Sequence, residues 1–314
     1  MDGILFSDLA IWRFGDLECK ACFACQVLSL AKQALHSFFI EENILSELIL
    51  LKLGGSAITD KTQPMTARLD ILERLATEIK NALDERGDDL QLLIGHGSGS
   101  FGHPVAAKYE THKGANRVDS WLGFAAVAAA AAELNHIVLK TLRQADVPAI
   151  SFQPSASTRT RGSQLMYFET YPIKEALREG LVPVVYGDVS VDANQGMSIV
   201  STEVLFDNLA RELTPSKIAL VGQVDGVYET DPLTNPDAEL IEEIDDSNWD
   251  EVEGMLGGSH ATDVTGGMFT KVRDMYRLTI AMPPMQAFVF SADEPGCLEA
   301  LLKGQTVDFG TIIN

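Results

Sequence analysis

The sequence predicts an α/β fold in which a mainly parallel β-sheet is covered by helices on both faces. Short apolar runs such as 48–53 and 182–186 are typical of strands that are buried on two sides. They alternate with stretches of helical periodicity such as 67–86, where apolar residues recur every three or four positions. A chain of 314 residues, of which 46% are apolar, is long enough to bury such a sheet.

The individual elements follow from apolar periodicity and from the glycines that bound it. We expect helices at 67–86, 118–145, 173–179, 203–213 and 266–277. We expect strands at 48–53, 91–94, 147–152, 182–186 and 217–221, a hairpin at 189–200, and the last strand of the chain at 286–290. Ligands of parallel sheets bind beyond the carboxyl ends of the strands, so the loops after these strands are where a site is expected.

The charge of the chain excludes two classes of partner. It has 24 Lys and Arg residues against 45 Asp and Glu, which gives a net charge of −21. A chain this acidic has no general electrostatic footprint for nucleic acid or for an anionic membrane surface, so we expect neither partner. A phosphate ligand would need a local site built against this overall field. The sequence contains no run of 18 or more apolar residues, so we do not expect a membrane span.

The cysteines lie away from the predicted sheet. Cys19, Cys22 and Cys25 are close together, Cys297 is near the end, and none lies between 26 and 296, which predicts a cytoplasmic protein without a disulfide framework. Three cysteines could belong to an iron–sulfur or zinc site, but a fourth ligand is missing. We therefore interpret residues 1–45 as an extension of unknown role and 46–314 as the catalytic domain.

Three glycine loops follow three predicted strands. They are Gly54-Gly55-Ser56, the segment Gly97 to Gly102, and Gly187-Asp188. Glycine lets backbone N–H groups approach an oxyanion closely, and a helix N-terminus adds a favourable dipole. Tight strand-to-helix turns would explain one loop, whereas three in one sheet favour a site for phosphoryl groups. The Walker and protein-kinase motifs are both absent from the sequence.

Few cations lie near these loops. Lys52 falls inside an apolar strand next to the glycines, where a lysine is costly unless an anion meets it. Lys61 follows the first loop, and Lys271 lies four residues after Gly267 at a predicted helix start. Taken alone, Lys61 and Lys271 could equally be ordinary exposed lysines.

Together these motifs resemble the amino acid kinase superfamily, whose members have an open αβα sandwich without a P-loop. The matching segments are Lys52–Ser56, His96–His103, Gly187-Asp188, Val224–Tyr228 and Thr265–Met268 with Lys271. Within the superfamily the chain is most similar to isopentenyl phosphate kinases, because of Ile58-Thr59-Asp60-Lys61 and Gly99–Pro104. The resemblance covers about residues 47–314.

The resemblance implies transfer of the γ-phosphoryl group of ATP, with Mg²⁺, to isopentenyl phosphate by a homodimer. The implied catalytic residues are Lys52, Lys61 and His103. The implied acceptor-binding residues are Ser98, Gly99, His103 and Gly187. The implied ATP-binding residues are Lys52, Gly54, Gly55, Ser56, Gly99, Asp225, Gly267 and Lys271, and no protein side chain is implied as a metal ligand. An acceptor phosphate is already anionic at neutral pH, so such a site needs no strong general base.

Two segments depart from the family pattern, namely Gly222-Gln223 before the Val-Asp-Gly element and Ser201-Thr202-Glu203 before a helix. These departures leave open how the chain binds the nucleotide. The alternatives are a fosfomycin kinase-like enzyme, an amino acid kinase such as glutamate 5-kinase, and a nucleotide or amino acid sensor without catalysis. For His96 we expect a structural role.

An apolar stripe on the long alanine-rich helix could bind an acceptor tail. It consists of Trp121, Phe124, Val127, Ala128 and Ala131. The same spacing is equally typical of a core-facing helix, so both interpretations stay open.

Overall fold

The computed structural model describes residues 46–230, 232, 235, 237–257 and 267–314. The prediction for residues 1–45, including Cys19, Cys22 and Cys25, lies outside the described residues, as do Thr265 and Gly266.

Fourteen strands are present in the described part of the chain. They are β1 (Glu47–Leu53), β2 (Leu90–His96), β3 (Ala149–Ser151), β4 (Thr158–Arg161), β5 (Gln164–Phe168), β6 (Val182–Tyr186), β7 (Asp188–Asp192), β8 (Gly196–Val200), β9 (Lys217–Gly222), β10 (Val227–Tyr228), β11 (Leu240–Ile241), β12 (Glu243–Ile244), β13 (Gln286–Ser291) and β14 (Thr311–Ile313).

The helices of the described residues connect these strands. They are α1 (Gly55–Ile58), α2 (Leu69–Arg86), α3 (Gly99–Tyr109), α4 (Ser120–Gln144), α5 (Pro154–Ser157), α6 (Tyr171–Arg178), α7 (Thr202–Leu213), α8 (Trp249–Gly257), α9 (Gly267–Ala281) and α10 (Cys297–Leu302). Short 3-10 turns lie at Gly87–Asp89 and Thr111–Lys113.

Eight of the strands form the central sheet in the order β12-β14-β13-β9-β1-β2-β6-β3. Every neighbouring pair in it is parallel except β13 with β14. The prediction of an α/β fold with a mainly parallel sheet is therefore confirmed. The prediction that the strand at 286–290 is the last was wrong, because the short β14 follows it and pairs antiparallel with β13.

The two faces of the sheet carry separate cores, which makes the fold an open αβα sandwich. One core packs α2, the second half of α4, and α10 against the sheet. The other packs α6, α7, α8 and α9 against the opposite face. Strands buried on both faces have no polar side, which explains their continuous apolar runs.

Strand β1 shows how this alternation positions a functional side chain. Leu51 and Leu53 lie in the first core, whereas Leu48 and Leu50 lie in the second. Successive side chains of a strand point to opposite faces, so Lys52 points toward the second layer. That layer contains helix α7.

A second sheet of four strands, in the order β5-β4-β7-β8, is formed by residues 158–200, between central strands β3 and β9 in the chain and with β6 inserted between β5 and β7. Strands β7 and β8 form the predicted hairpin, with its turn between Asp192 and Gly196. The sequence analysis missed the β4–β5 hairpin, which pairs antiparallel with a register shift between Arg159 and Thr160.

Helix α4 is long and apolar enough to cross a membrane by length and composition alone. Leu134 and Val138 of this helix are fully buried, and both belong to the first core of the sandwich. These are the contacts of a core helix.

Candidate active site

Lys52 lies at the carboxyl end of β1 and meets a carboxylate from α7. Its Nζ is 2.8 Å from Glu203 Oε1, and the two side chains are 10% and 22% exposed. Glu203 lies in the first turn of α7, whose N-cap Ser201 accepts a hydrogen bond from the Val204 N–H at 3.3 Å. The anion that a lysine in this strand requires is thus supplied by the protein itself.

The same carboxylate interacts with a second lysine. Burial opposes ionisation of Glu203, but the charges of Lys52 and Lys271 and a hydrogen bond from Lys52 lower its pKa to about 2. Lys271 lies on α9, whose Val272 and Met275 are buried in the same core layer as α7. Glu203 is therefore ionised at neutral pH, paired with Lys52 and influenced electrostatically by Lys271.

The first two glycine loops are in direct contact. A Cβ on Gly55 would lie 2.6 Å from the backbone nitrogen of Gly99, and one on Gly97 would lie 2.9 Å from the nitrogen of Gly55. The first loop is also tied to β9, since the Gly54 N–H donates to the Val221 carbonyl at 2.8 Å. Only residues without a side chain allow this approach, which crowds backbone amides into one place.

The third glycine joins the same cluster. The Gly187 N–H donates to the His96 carbonyl at 3.0 Å, and the Thr202 hydroxyl donates to that carbonyl at 2.7 Å. A Cβ on Gly187 would lie 3.9 Å from the nitrogen of Ser98. Residues of three predicted loops, with Lys52, thus come together at the carboxyl ends of neighbouring strands.

His96 has the structural role predicted for it. Its side chain is fully buried and stacks on the Tyr186 ring with centroids 5.4 Å apart. Nδ1 lies 3.0 Å from the Gly97 carbonyl, and Nε2 lies 3.2 Å from Asn135 Oδ1. Burial lowers the pKa of His96, so the ring is neutral at neutral pH. Both ring nitrogens face protein oxygens, and the neutral ring donates to one of them.

His103 lies on helix α3, in its first turns, and not in a loop. Helix α3 begins at Gly99, directly after the loop residue Ser98, and His103 is exposed. The exposed Lys61 lies in the loop that runs from Thr59 to Ala67, which pair with each other as an isolated bridge. The N-terminus of α3 therefore follows the second glycine loop directly, with the exposed His103 four residues after Gly99.

The nucleotide-side residues predicted by the family pattern lie on neighbouring elements. Asp225 is exposed in the loop after β9, and its carboxylate accepts a 3.4 Å hydrogen bond from the Tyr228 hydroxyl. Gly267 begins α9 with a positive φ of 49°, four residues before Lys271. Lys271 is the one of these residues with a direct electrostatic interaction with Glu203.

An apolar cluster lies one helical turn beyond His103. Ala106 of α3, Val127 of α4 and Val189 of β7 are buried together, with Val105, Phe124 and Ala128 partly buried against them. Ile199 faces the same side as its register partner Val189, and it remains 38% exposed. The apolar stripe of α4 is therefore partly buried and partly exposed. Ala131 is fully buried, whereas Trp121 is 53% exposed.

Within the described residues, no group of three or more His, Cys, Asp and Glu side chains is arranged to hold a metal ion. Asp188, beside the glycine cluster, is 1% exposed and is more buried than Glu203. It accepts hydrogen bonds from the backbone N–H groups of Ser155 at 3.0 Å and Val189 at 2.8 Å. Both carboxylates are thus already bonded to the protein.

Sequence reasoning missed Glu203 as a site residue and treated it only as a departure from the family pattern. The available signal was Lys52, which required a buried anion. A glutamate directly after a serine N-cap is also ordinary helix chemistry, so the sequence gives no reason to prefer this carboxylate.

Comparisons with known proteins agree with this architecture. Residues 47–290 match the profile of the amino acid kinase family. The isopentenyl phosphate kinase of Methanocaldococcus jannaschii is 38% identical, and the match covers 83% of this chain and 99% of that protein. The enzyme of the same name from Methanothermobacter thermautotrophicus is 37% identical over 83% of this chain and 97% of its own length.

A solved structure leads to the same group of proteins. A structure described as an isopentenyl phosphate kinase superposes with a TM-score of 0.71 at 34% identity, and the match covers 85% of this chain and 100% of that chain. The chain belongs to the amino acid kinase family, within its isopentenyl phosphate kinase branch.

Proposed function

We propose that the protein transfers the γ-phosphoryl group of ATP to the phosphate of isopentenyl phosphate. An oxygen of the acceptor phosphate forms a bond to the γ-phosphorus while the bond to the β–γ bridging oxygen breaks, which gives isopentenyl diphosphate and ADP. The observation that carries the proposal is the set of glycine amides beside Lys52, Glu203 and Lys271. Phosphoryl transfer requires positioning and charge neutralisation more than covalent catalysis.

On the donor side, Lys52 is the residue that contacts the transferring group. Glu203 holds its ammonium at the end of β1, and the short 2.8 Å contact limits where it can move. Lys271 approaches the same carboxylate from α9 and binds nucleotide phosphates. Backbone contacts to ATP are assigned to Gly54, Gly55, Ser56, Gly99, Asp225 and Gly267. Lys61 stabilises the charge that develops on the phosphoryl group.

On the acceptor side, His103 binds the acceptor phosphate beside the N-terminus of α3. Ser98 and Gly99 supply backbone contacts, and Gly187 lies close enough to Ser98 to border the same space. An anion at this place gains from the N–H groups and the dipole of an eleven-residue helix. His103 adds a charge-assisted hydrogen bond when it is protonated.

The five-carbon tail of the acceptor has no polar group, so an apolar cavity must recognise it. We assign this role to the apolar cluster of α3, α4 and β7, which lies one helical turn beyond His103. His103 and Ala106 are three residues apart and therefore share one side of α3. A phosphate bound at His103 would direct its tail along the helix toward Ala106 and Phe124.

Mg²⁺ is proposed to accompany ATP. It prefers oxygen ligands and is commonly held by substrate phosphates, a few carboxylates and water. Glu203 and Asp188 are engaged by protein hydrogen bonds, so the phosphates of ATP are the main ligands that we assign to the ion. When bound, it would neutralise charge on the β- and γ-phosphates.

A cytoplasmic location and a homodimeric state complete the proposal. The first rests on the absence of cysteine between residues 26 and 296. The second follows from the family resemblance, and light scattering of the purified chain tests it through the molar mass.

A panel of acceptors tests the function. The chain is incubated with ATP, Mg²⁺ and one of isopentenyl phosphate, dimethylallyl phosphate, fosfomycin or glutamate, and ADP release is measured. We expect the highest kcat/KM with isopentenyl phosphate. Preference for fosfomycin or glutamate would support one of the other kinases, and no turnover with any acceptor would favour a sensor.

A further inference from the structure

The hydroxyl of Thr59 lies between the two glycine loops that follow β1 and β2. Thr59 is fully buried. Its Oγ1 donates to the Gly55 carbonyl at 2.6 Å and accepts from the Ser100 N–H at 3.0 Å. One hydroxyl thus joins the first loop to the start of α3, and its proton is used in doing so.

The space around this hydroxyl is fully used. A Cβ on Gly99 would lie 2.2 Å from Thr59 Oγ1 and 2.5 Å from the Gly55 carbonyl oxygen. Gly99 also has a φ of +46°, in the region that favours glycine. The bridging hydroxyl is therefore packed tightly against both loops, which leaves little freedom in their separation.

The loop that carries Lys61 is fastened to the same point. The Met65 N–H donates to the Ser100 carbonyl at 3.1 Å. The Ser100 hydroxyl lies 3.4 Å from both the backbone nitrogen and the carbonyl oxygen of Thr66. Ser100, whose backbone N–H donates to Thr59, is therefore also the residue to which the Lys61 loop is hydrogen-bonded.

We propose that Thr59 is a positioning residue for phosphoryl transfer, whose hydroxyl fixes the distance between the donor loop at Gly55 and the acceptor loop at Gly99. This proposal rests on the function proposed above. Thr59 is buried and its hydroxyl is occupied, so it acts through the backbone of the loops and through Lys61. Each loop holds its own phosphate without Thr59, but the two phosphates then lose their alignment, and misalignment lowers kcat more than binding.

The test compares Thr59→Val, which removes the hydroxyl at nearly constant volume, with Thr59→Ser, which keeps it. Thr141→Val is the matched control, because the buried Thr141 hydroxyl donates to the Ile137 carbonyl at 3.0 Å on α4. In the full chain with isopentenyl phosphate and ATP, we expect Thr59→Val to lower kcat about 10- to 100-fold, with both KM values within about threefold of wild type. We expect Thr59→Ser and Thr141→Val to keep kcat within about threefold, although Thr141→Val lowers the Tm as Thr59→Val does.

A double-mutant cycle adds a second readout. If Thr59 acts partly through Lys61, the kcat loss of Thr59→Val shrinks in a Lys61→Ala background. Full additivity would remove Lys61 from the proposal.

A wild-type kcat in Thr59→Val, or a loss of kcat in Thr59→Ser as large as in Thr59→Val, would overturn the role of Thr59. Thr59→Val that only lowers the Tm, as Thr141→Val does, would leave a structural threonine. These outcomes differ from failure of the proposed function, in which the wild-type chain itself fails to phosphorylate isopentenyl phosphate.

Discussion

The two ends of strand β1 carry ion clusters of the same composition, each with one carboxylate and two cations. At the amino end, Glu47 bonds to Arg86 at 2.6 Å and to Lys217. There the cations also meet backbone carbonyls, since Arg86 donates to Leu302 at 3.0 Å and to Asp89 at 3.1 Å. The positive charge at this end is neutralised within the protein.

At the carboxyl end, Lys52 pairs with Glu203 and Lys271 acts on it electrostatically, but the neighbouring backbone belongs to glycine loops and to the start of α3. The N-terminus of α3 directs its dipole toward these loops, which favours an anion there. We propose that the direction of the parallel strands and their helices, more than the ionic residues themselves, distinguishes the structural cluster at the amino end from a phosphate site at the carboxyl end.

The largest difference is expected when one lysine of the cluster at each end of β1 is replaced. Lys52→Met should lower kcat about 100- to 1000-fold, because a cation at the transferring phosphoryl group is lost. Lys217→Met on the adjacent β9 is the matched control, with kcat per folded molecule within about threefold of wild type. Steady-state kinetics with isopentenyl phosphate measures both. Equal losses in the two variants would abolish the distinction between the clusters.

Replacement of His103 tests the acceptor side of the proposed site. His103→Ala should lower kcat/KM for the acceptor about a hundredfold and leave KM for ATP nearly constant, since a charge-assisted contact to the acceptor phosphate is lost. The exposed His112 in the turn after α3 provides the control variant His112→Ala. A larger effect on ATP than on the acceptor would move His103 to the nucleotide side.

The amino end should reveal itself in acid stability. Burial raises the pKa of Glu47, but hydrogen bonds from Lys217, Arg86 and Ser216 outweigh it and lower the pKa to about 2. The stabilisation is thus present above the ordinary pKa of 4.5 and is lost as the pH falls toward 2. Urea unfolding between pH 5 and 3 should show up to about 2 kcal/mol less pH-dependent change in the free energy of unfolding in Glu47→Gln than in wild type. Parallel curves for the two proteins would contradict this.

The smallest effect concerns His96. Its lowered folded-state pKa means that the unfolded chain binds a proton which the folded chain does not, so stability falls as the pH drops below about 6.5. The slope should approach about 1.4 kcal/mol per pH unit at most, and His96→Asn should remove it. His112→Ala should retain the slope. A wild-type curve that is flat between pH 7 and 5.5 would show that His96 is protonated inside the fold.

Much of the sheet could be predicted from sequence because the strands are buried on both faces. The runs at β1, β2, β6 and β9 have no polar alternation and are bounded by glycines. The β4–β5 hairpin escaped notice, since Thr158–Arg161 alternates between threonine and arginine and is stabilised by its neighbours. Strand β14 has three residues and depends on its pairing with β13.

The residues of the candidate site also differ in whether the sequence alone could predict them. Lys52 could be singled out because a lysine is unusual in an apolar strand, and the glycines because backbones must approach closely there. Glu203 and Thr59 could not, because their importance comes from partners that are distant in sequence or bonded through backbone atoms. Residues that hold others in place carry a weaker sequence signal than the residues they hold.

The comparison of Glu203→Gln with Glu47→Gln tests the central claim most directly, since each change removes one carboxylate charge from a cluster of the same composition. The single-turnover rate of phosphoryl transfer and the free energy of unfolding are measured for both variants. We predict that Glu203→Gln lowers the transfer rate at least about thirtyfold, whereas Glu47→Gln lowers stability and keeps the rate per folded molecule within about threefold. A wild-type transfer rate in Glu203→Gln, or an equal loss of rate in Glu47→Gln, would contradict the assignment of phosphoryl transfer to the carboxyl end of β1.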